Sequence, residues 1–214
     1  MAKLYLLLGV AVALLVGLLV LFSSLSPREF EVNYTLSVIF RSPEDVEKFD
    51  LGWMVVGLGR ENYTMAVIRH SGVEIEVFDA TEGGKEYSSI CALGRCVKDP
   101  SVRGEVDLRN IKVKDVGVVG RCRHLGYEGE IYRGEGVFDL GMLSEVAKSQ
   151  GVELNASVSG ELCVAGDLVL WAREVYMFSA DGKKMSLEVV INASKIGAYS
   201  VERYREILQK AKTG

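Results

Sequence analysis

Apolar and polar residues alternate along most of the chain beyond residue 29. In the first run, every second position is apolar: Phe30, Val32, Tyr34, Leu36, Val38 and Phe40. A period of two predicts a β-strand with one buried face. Further strand-like runs cover 52–59, 62–70, 73–80, 86–91, 116–123, 127–132, 152–164, 168–174 and 184–193, with short turns between many of them. The turns predict antiparallel pairing, and Gly57 is a candidate β-bulge in the second run.

Three segments show helical features instead. The sequence Ser42-Pro43-Glu44-Asp45 is typical of a helix start and predicts a short helix to Phe49. In 138–150 the apolar residues fall at helical spacing before Gly151: Leu140, Leu143, Val146 and Ala147. Residues 199–212 have a third amphipathic pattern, which predicts a helix docked on the domain in preference to one on a membrane surface or a partner.

Long antiparallel strands with one or two helices against an apolar face predict an α+β fold. We expect the sheet to be strongly curved, as a half-barrel, and to be partly filled by the helix at 138–150. This β-rich domain extends over residues 26–214.

Residues 4–25 contain no charged side chain. Their length matches the ~20 residues with which a helix crosses a bilayer. Since Lys3 precedes the segment, the positive-inside rule predicts a cytoplasmic tip at 1–3 and an extracytoplasmic domain after the anchor. A cleaved signal peptide is the alternative, although its apolar core usually has about 7–15 residues. We therefore expect a single-pass protein of the cell membrane, with the lipid bilayer as partner of 4–25. A pilin is disfavoured because no glutamate lies five residues into the apolar helix.

Asparagine usage supports export. Four of the five asparagines open an N-x-Ser/Thr triplet: Asn33, Asn62, Asn155 and Asn192. This triplet is the acceptor for N-glycosylation in exported proteins, although strands rich in Ser and Thr also produce it. Few amide side chains beside many charged ones is a composition reported for hyperthermophiles, so we expect an archaeal surface protein.

The four cysteines, Cys91, Cys96, Cys122 and Cys163, predict two disulfides in an oxidising compartment. Cys91 and Cys96 flank four residues that suit a tight hairpin, which leaves Cys122 to pair with Cys163. A metal or iron–sulfur site with His124 is the alternative. The usual zinc spacing is missing, so we expect no metal.

No catalytic motif is present, and we expect neither an enzyme nor a cofactor. His70 and His124 are the only histidines, and Glu128 and Glu130 have the spacing of a solvated strand face. The glycine pair Gly134-Glu-Gly136 lacks the strand–turn–helix frame of a dinucleotide site. The net charge of −4 gives no reason to expect nucleic acid as a partner.

Two segments followed by a hairpin carry a family resemblance. Residues 120–132 (GRCRHLGYEGEIY), 160–165 (GELCVA) and the turn 181–183 (DGK) resemble sequences of LolA-like proteins, and the strand order is similar over 30–195. That superfamily contains lipoprotein carriers and periplasmic sensors. The resemblance implies a half-barrel sheet covered by helices, with an apolar cavity that can hold acyl chains. A retained anchor distinguishes this chain from soluble carriers.

Two functions are consistent with these patterns. The first is a membrane-anchored, glycosylated binding domain for a lipid or another apolar ligand. The second is a structural or accessory protein of the cell envelope that assembles with membrane-protein partners and holds no ligand. Gly9, Ala13 and Gly17 recur at intervals of four, as in packed transmembrane helices, and favour the second function.

Overall fold

The computed structural model describes residues 29–70, 72–98, 111–138, 155–180 and 183–214. These residues form eleven strands and one helix. The elements are β1 (Phe30–Arg41), β2 (Val46–Leu58), β3 (Tyr63–His70), β4 (Val73–Glu82), β5 (Lys85–Ala92), β6 (Arg95–Lys98), β7 (Ile111–His124), β8 (Tyr127–Phe138), β9 (Asn155–Ala165), β10 (Leu168–Ala180), β11 (Lys183–Ala198) and α1 (Val201–Thr213).

The strands of the described residues form one sheet in the order β6-β5-β4-β3-β2-β1-β11-β10-β9-β8-β7. The pairs from β2 to β6 and from β7 to β11 are antiparallel. The antiparallel sheet, together with the helix at the carboxyl terminus of the chain, confirms the α+β class. The half-barrel form stays a prediction.

The chain divides into two compact units. Unit 1 contains residues up to 35, 51–106 and 193–214, and unit 2 contains 36–50 and 107–192. Each unit is described by itself below.

In unit 1, α1 packs on one face of the sheet, as its amphipathic pattern predicts. Seven buried residues form this cluster: Val55, Tyr63, Phe78, Ala80, Ile207, Leu208 and Ala211. The helix begins after Ser200, whose side chain accepts a hydrogen bond from the N–H of Arg203. This contact satisfies one of the backbone donors that every helix start leaves without an intrahelical partner.

A buried polar network also joins α1 to the sheet. The Glu31 carboxylate is 7% exposed, accepts a hydrogen bond from the Tyr63 hydroxyl, and forms an ion pair with Arg203 of α1. Burial, followed by the hydrogen bond to Glu31, raises the pKa of Tyr63. Gly57 makes room for the Tyr63 ring, because a Cβ there would lie 2.7 Å from the ring carbon Cδ1. The register through Gly57 is continuous, so the position is a packing contact and not a bulge.

In unit 2, β10 and β11 bury one face and carry charges on the other. The buried residues are Leu170, Ala172, Tyr176, Leu187, Val189 and Ile191. On the opposite face, Glu188 accepts a hydrogen bond from Arg173 Nε at 2.7 Å and lies 3.5 Å from a terminal nitrogen of Arg41. The paired charges explain how a carboxylate that is 6% exposed remains stable there.

The tight turns follow the glycine pattern. In both Leu93-Gly94 and Leu125-Gly126 the two residues have positive φ, between 49° and 83°. Two-residue turns of this kind match the twist of the strands they join, which explains their position between β5 and β6 and between β7 and β8.

The short helix predicted at 43–49 is wrong. Val46 already belongs to β2, and Ser42 instead closes a turn: its N–H donates to the carbonyl of Asp45, and its Oγ accepts from the Asp45 N–H at 3.0 Å. The same Ser and Pro that favour a helix start also favour a tight turn, and the strand that follows decides between them.

The predicted anchor at 4–25 and most of the predicted helix at 138–150 lie outside the described residues, although Phe138 itself ends β8. Within the part of the chain that the structure describes, no helix is long and apolar enough to span a bilayer.

Candidate ligand-binding site

All four cysteines are paired, in the connectivity that the sequence favours. Cys91 and Cys96 lie directly opposite each other on β5 and β6 of unit 1, with their Cα atoms 3.9 Å apart. Cys122 on β7 and Cys163 on β9 form the second disulfide, in unit 2, with their Cα atoms 6.1 Å apart. This arrangement leaves no thiolate for the alternative metal site.

The second disulfide joins two strands that both pair with β8. Cys122 is opposite Gly129, and Cys163 is opposite Ile131. A Cβ on Gly129 would lie 2.7 Å from the carbonyl carbon of Val164, too close for two carbon atoms that are not bonded. Gly129 therefore permits the close approach of β9 on which this disulfide depends.

Three sequon asparagines have described surroundings. Asn33 and Asn192 are half-buried, and the Oγ of Ser194 donates to the Asn33 carbonyl at 3.0 Å. The Asn62 side chain accepts a hydrogen bond from the N–H of Gly59, and Thr64 of the same sequon is 8% exposed. The side chain of Asn155 lies outside the described residues. Glycosylation at the four positions stays a prediction.

Two glycines on neighbouring strands leave a row without side chains on one face of unit 2. Glu174 on β10 is opposite Gly160 on β9, and Gly160 is opposite Gly134 on β8. Directly opposite residues of antiparallel strands share a face, so the two glycines extend from Glu174 over about 10 Å of sheet. We call this row, Glu174, Gly160 and Gly134, the glycine trough.

Among the described residues, neither conformation nor packing requires glycine at residue 160. Its φ lies outside the left-handed region, and the described atoms that an added Cβ would meet are Glu174 Cγ at 3.8 Å and the Arg173 carbonyl oxygen at 3.9 Å. These are ordinary van der Waals distances. A glycine inside a strand weakens it, and often marks a place where a ligand or another backbone approaches.

Apolar side chains border the trough on the same face. Leu162 lies between Ala172 and Tyr132 in one neighbouring row, and Val158 lies opposite Tyr176 in the other. Val118 on β7 continues the first row and is 54% exposed. On β9 and β10 the trough is therefore a gap between apolar side chains.

Glu174 is the polar group at one end of the trough. The Tyr176 hydroxyl donates to its Oε2 at 2.5 Å. Burial raises the pKa of the Glu174 carboxyl, and the hydrogen bond from Tyr176 partly opposes this rise. Desolvation of the carboxylate is the dominant cause, since its direct neighbours across the sheet are Val189 and Gly160.

The sequence patterns alone do not identify the trough. In the sequence, Gly134 and Gly136 are candidates only for a dinucleotide site. Gly160 is notable only as part of the segment 160–165, which resembles LolA-like sequences. The available signal is one glycine, Gly160, inside the strand predicted at 152–164. The alignment of Gly160 and Gly134 with Glu174 depends on the register of β8, β9 and β10, which the sequence does not state.

A second groove, of about 450 Å³, lies in unit 1. Its lining includes Lys85, Tyr87, Lys98 and Lys212. The ammonium groups of Lys85 and Lys212 lie 5.1 and 4.7 Å from the centre of the Tyr87 ring, and Lys212 also pairs with Glu82. Because these contacts already engage the two lysines, we regard the groove as part of the packing between α1 and β5.

Two of the residues considered for catalysis, Glu128 and Glu130, lie on β8. Glu128 and Glu130 are exposed, and Glu130 accepts a hydrogen bond from the nearby Tyr132 hydroxyl at 2.9 Å. Among the described residues, no group of three His, Cys, Asp or Glu side chains has the arrangement of a metal site. The side chain of His70 is not among those described.

No protein-family model and no curated protein matches the chain. Its structural neighbours include a DUF1329 family protein from Desulfovibrio piger, with 13% identity and a TM-score of 0.32, which covers 87% of this chain and 92% of that one. The ywiB protein from Bacillus subtilis has 8% identity and a TM-score of 0.26, with 77% and 94% coverage. Lipoprotein LppX from Mycobacterium tuberculosis has 12% identity and a TM-score of 0.28, with 74% and 84% coverage.

Proposed function

We propose that the protein is an extracytoplasmic binding domain that holds an apolar ligand in the glycine trough of unit 2. The observation that carries the proposal is Gly160, a strand glycine that neither its backbone nor its described neighbours require. A ligand chain above Gly160 and Gly134 would fill the missing row and contact Leu162 and Val158 on either side. Burial of apolar surface then provides the free energy of binding.

The proposed location has separate support. Disulfides persist in extracytoplasmic compartments and are rare where thiols are kept reduced. The two disulfides fit an exported domain. Because intracellular proteins of hyperthermophiles also contain disulfides, the support specific to export is the apolar segment 4–25 and the four sequons. Retention by a transmembrane helix at 4–25 and glycosylation of the sequons belong to the proposal and rest on the sequence patterns.

The test is photo-crosslinking of the detergent-solubilised full-length chain. The probe is a long-chain fatty alcohol with a diazirine on its chain, and labelled peptides are located by mass spectrometry. We expect labelling of peptides from β8, β9 and β10. Gly160→Leu fills the trough with a side chain and should lower this labelling about tenfold, which corresponds to ~1.4 kcal/mol.

Gly197→Leu is the matched control. Gly197 also lies inside a strand, β11, is exposed and belongs to unit 1. No atom of the described residues lies within 4 Å of a Cβ added there. Labelling of this variant should equal that of the wild type. If the probe labels no peptide of β8, β9 or β10, or labels them equally in Gly160→Leu, the proposed function is wrong.

A second candidate function is assembly with a membrane-protein partner. The edge strand β7 favours it, because Val116 and Val119 are 64% and 51% exposed there. Exposed edge strands are sites at which other chains add. Crosslinked complexes that Val119→Lys abolishes, in a protein whose trough does not bind the probe, would support this candidate over the first.

A further inference from the structure

We infer that the glycine trough selects apolar ligands whose head group carries a hydrogen-bond donor, an ammonium or a hydroxyl group, and that Glu174 is the acceptor. The inference rests on the proposed function and adds the chemical class of the ligand. It follows from the position of one carboxyl group at the end of an otherwise apolar gap.

Glu174 lies on the apolar face of β10. Ala172 and Tyr176, two positions away on the same strand, are 1% and 5% exposed. Across the sheet its direct neighbours are Val189, which is 2% exposed, and Gly160. The charged pairs of unit 2 that involve Arg173 and Glu188 lie on the other face and do not neutralise it.

The hydrogen bond from Tyr176 leaves acceptor capacity on Glu174. A carboxylate has two oxygens with about four lone-pair sites, and the Tyr176 hydroxyl donates to Oε2. The Cγ atom of Glu174 lies 3.8 Å from the position of a Cβ on Gly160, so the carboxyl group borders the trough. A donor group in the trough can therefore reach this carboxyl group.

Even a partly buried carboxylate such as that of Glu174 is costly unless charge or hydrogen bonds compensate it. The raised pKa of Glu174 shows that Tyr176 compensates only in part. An ammonium or hydroxyl group would add a charge-assisted hydrogen bond, whereas a ligand carboxylate would add like charge. The site should therefore prefer amines and alcohols to acids of equal chain length.

The experiment uses three diazirine probes of equal chain length, a fatty amine, a fatty alcohol and a fatty acid, with the full-length chain at neutral pH. In the wild type we expect the amine and the alcohol to label β8, β9 and β10 about tenfold more than the acid does. Glu174→Gln keeps the shape of the side chain and a hydrogen-bonding oxygen for Tyr176. It should bring the three labelling yields within about twofold of one another.

The outcomes separate the inference from the function. Equal labelling by all three probes in the wild type, lost in Gly160→Leu, would overturn the inference and leave the function standing. A preference that persists unchanged in Glu174→Gln would also overturn it. If none of the probes labels the trough, both are wrong. Both disulfides, verified by mass spectrometry in each variant, show that the variants have folded.

Discussion

At the scale of single residues, glycines inside the strands of unit 2 have different roles. Gly129 lies under the backbone of Val164, whereas a Cβ added to Gly117 on β7 would meet no atom within 4 Å in the part of the chain that the structure describes. We expect Gly129→Ala to lower the free energy of unfolding by about 2 kcal/mol or more, since a well-packed backbone has to move. Gly117→Ala should be neutral or stabilising by up to about 1 kcal/mol. Urea unfolding of both variants checks this, and equal effects would contradict it.

The Glu174 carboxyl predicts a dependence of stability on pH. Its pKa is raised in the folded protein, and in the unfolded chain it titrates near the ordinary value of about 4.3. Between these two values the folded state binds more protons than the unfolded state, so this group's contribution to the free energy of unfolding falls as pH rises. Glu174→Gln removes the contribution.

The measurement is the difference in free energy of unfolding between the wild type and Glu174→Gln, followed upward in pH from the ordinary glutamate pKa of about 4.3. We expect the wild type to lose stability relative to the variant as pH rises above this value. Other titrating groups cancel in the difference. A difference independent of pH would show that the carboxyl has its ordinary pKa in the folded state.

At the scale of elements, α1 depends on one ion pair as well as on its apolar face. Arg203→Ala leaves the buried Glu31 carboxylate with the Tyr63 hydroxyl but without its cation. We expect a loss of about 1–3 kcal/mol in the free energy of unfolding. Arg205→Ala, at an exposed position of the same helix, should change it by less than about 0.5 kcal/mol. Similar losses of unfolding free energy in the two variants would mean that the effect comes from helix propensity and not from the ion pair with Glu31.

The elements also show how far local sequence determines structure. The alternation in β1 and the helical spacing in α1 were sufficient to predict the two elements, because each period matches only one type of secondary structure. The helix predicted at 43–49 is wrong, because Ser42 makes the same kind of hydrogen bond in a turn as in a helix cap. The trough could not be predicted, since strand register brings together Glu174, Gly160 and Gly134 from three separate segments.

At the scale of the whole molecule, the two disulfides restrict the unfolded chain to different extents. Cys122–Cys163 closes a loop with a sequence separation of 41, and Cys91–Cys96 one of 5. In the chain-entropy model these loops correspond to about 4 and about 2 kcal/mol. We therefore expect Cys122→Ala/Cys163→Ala to lower the free energy of unfolding more than Cys91→Ala/Cys96→Ala does.

Urea unfolding of the two double variants measures the difference. Packing should increase it, because Cys163 is fully buried and Cys96 is exposed. Equal losses would mean that the long loop is already restricted in the unfolded state or that native contacts compensate. In that case the close approach of β7 and β9 at Gly129 would be maintained by strand pairing alone. Gly129→Ala would then lower the free energy of unfolding by the same amount with and without the Cys122–Cys163 disulfide. If the glycine and the disulfide are coupled through β9, the two losses should differ.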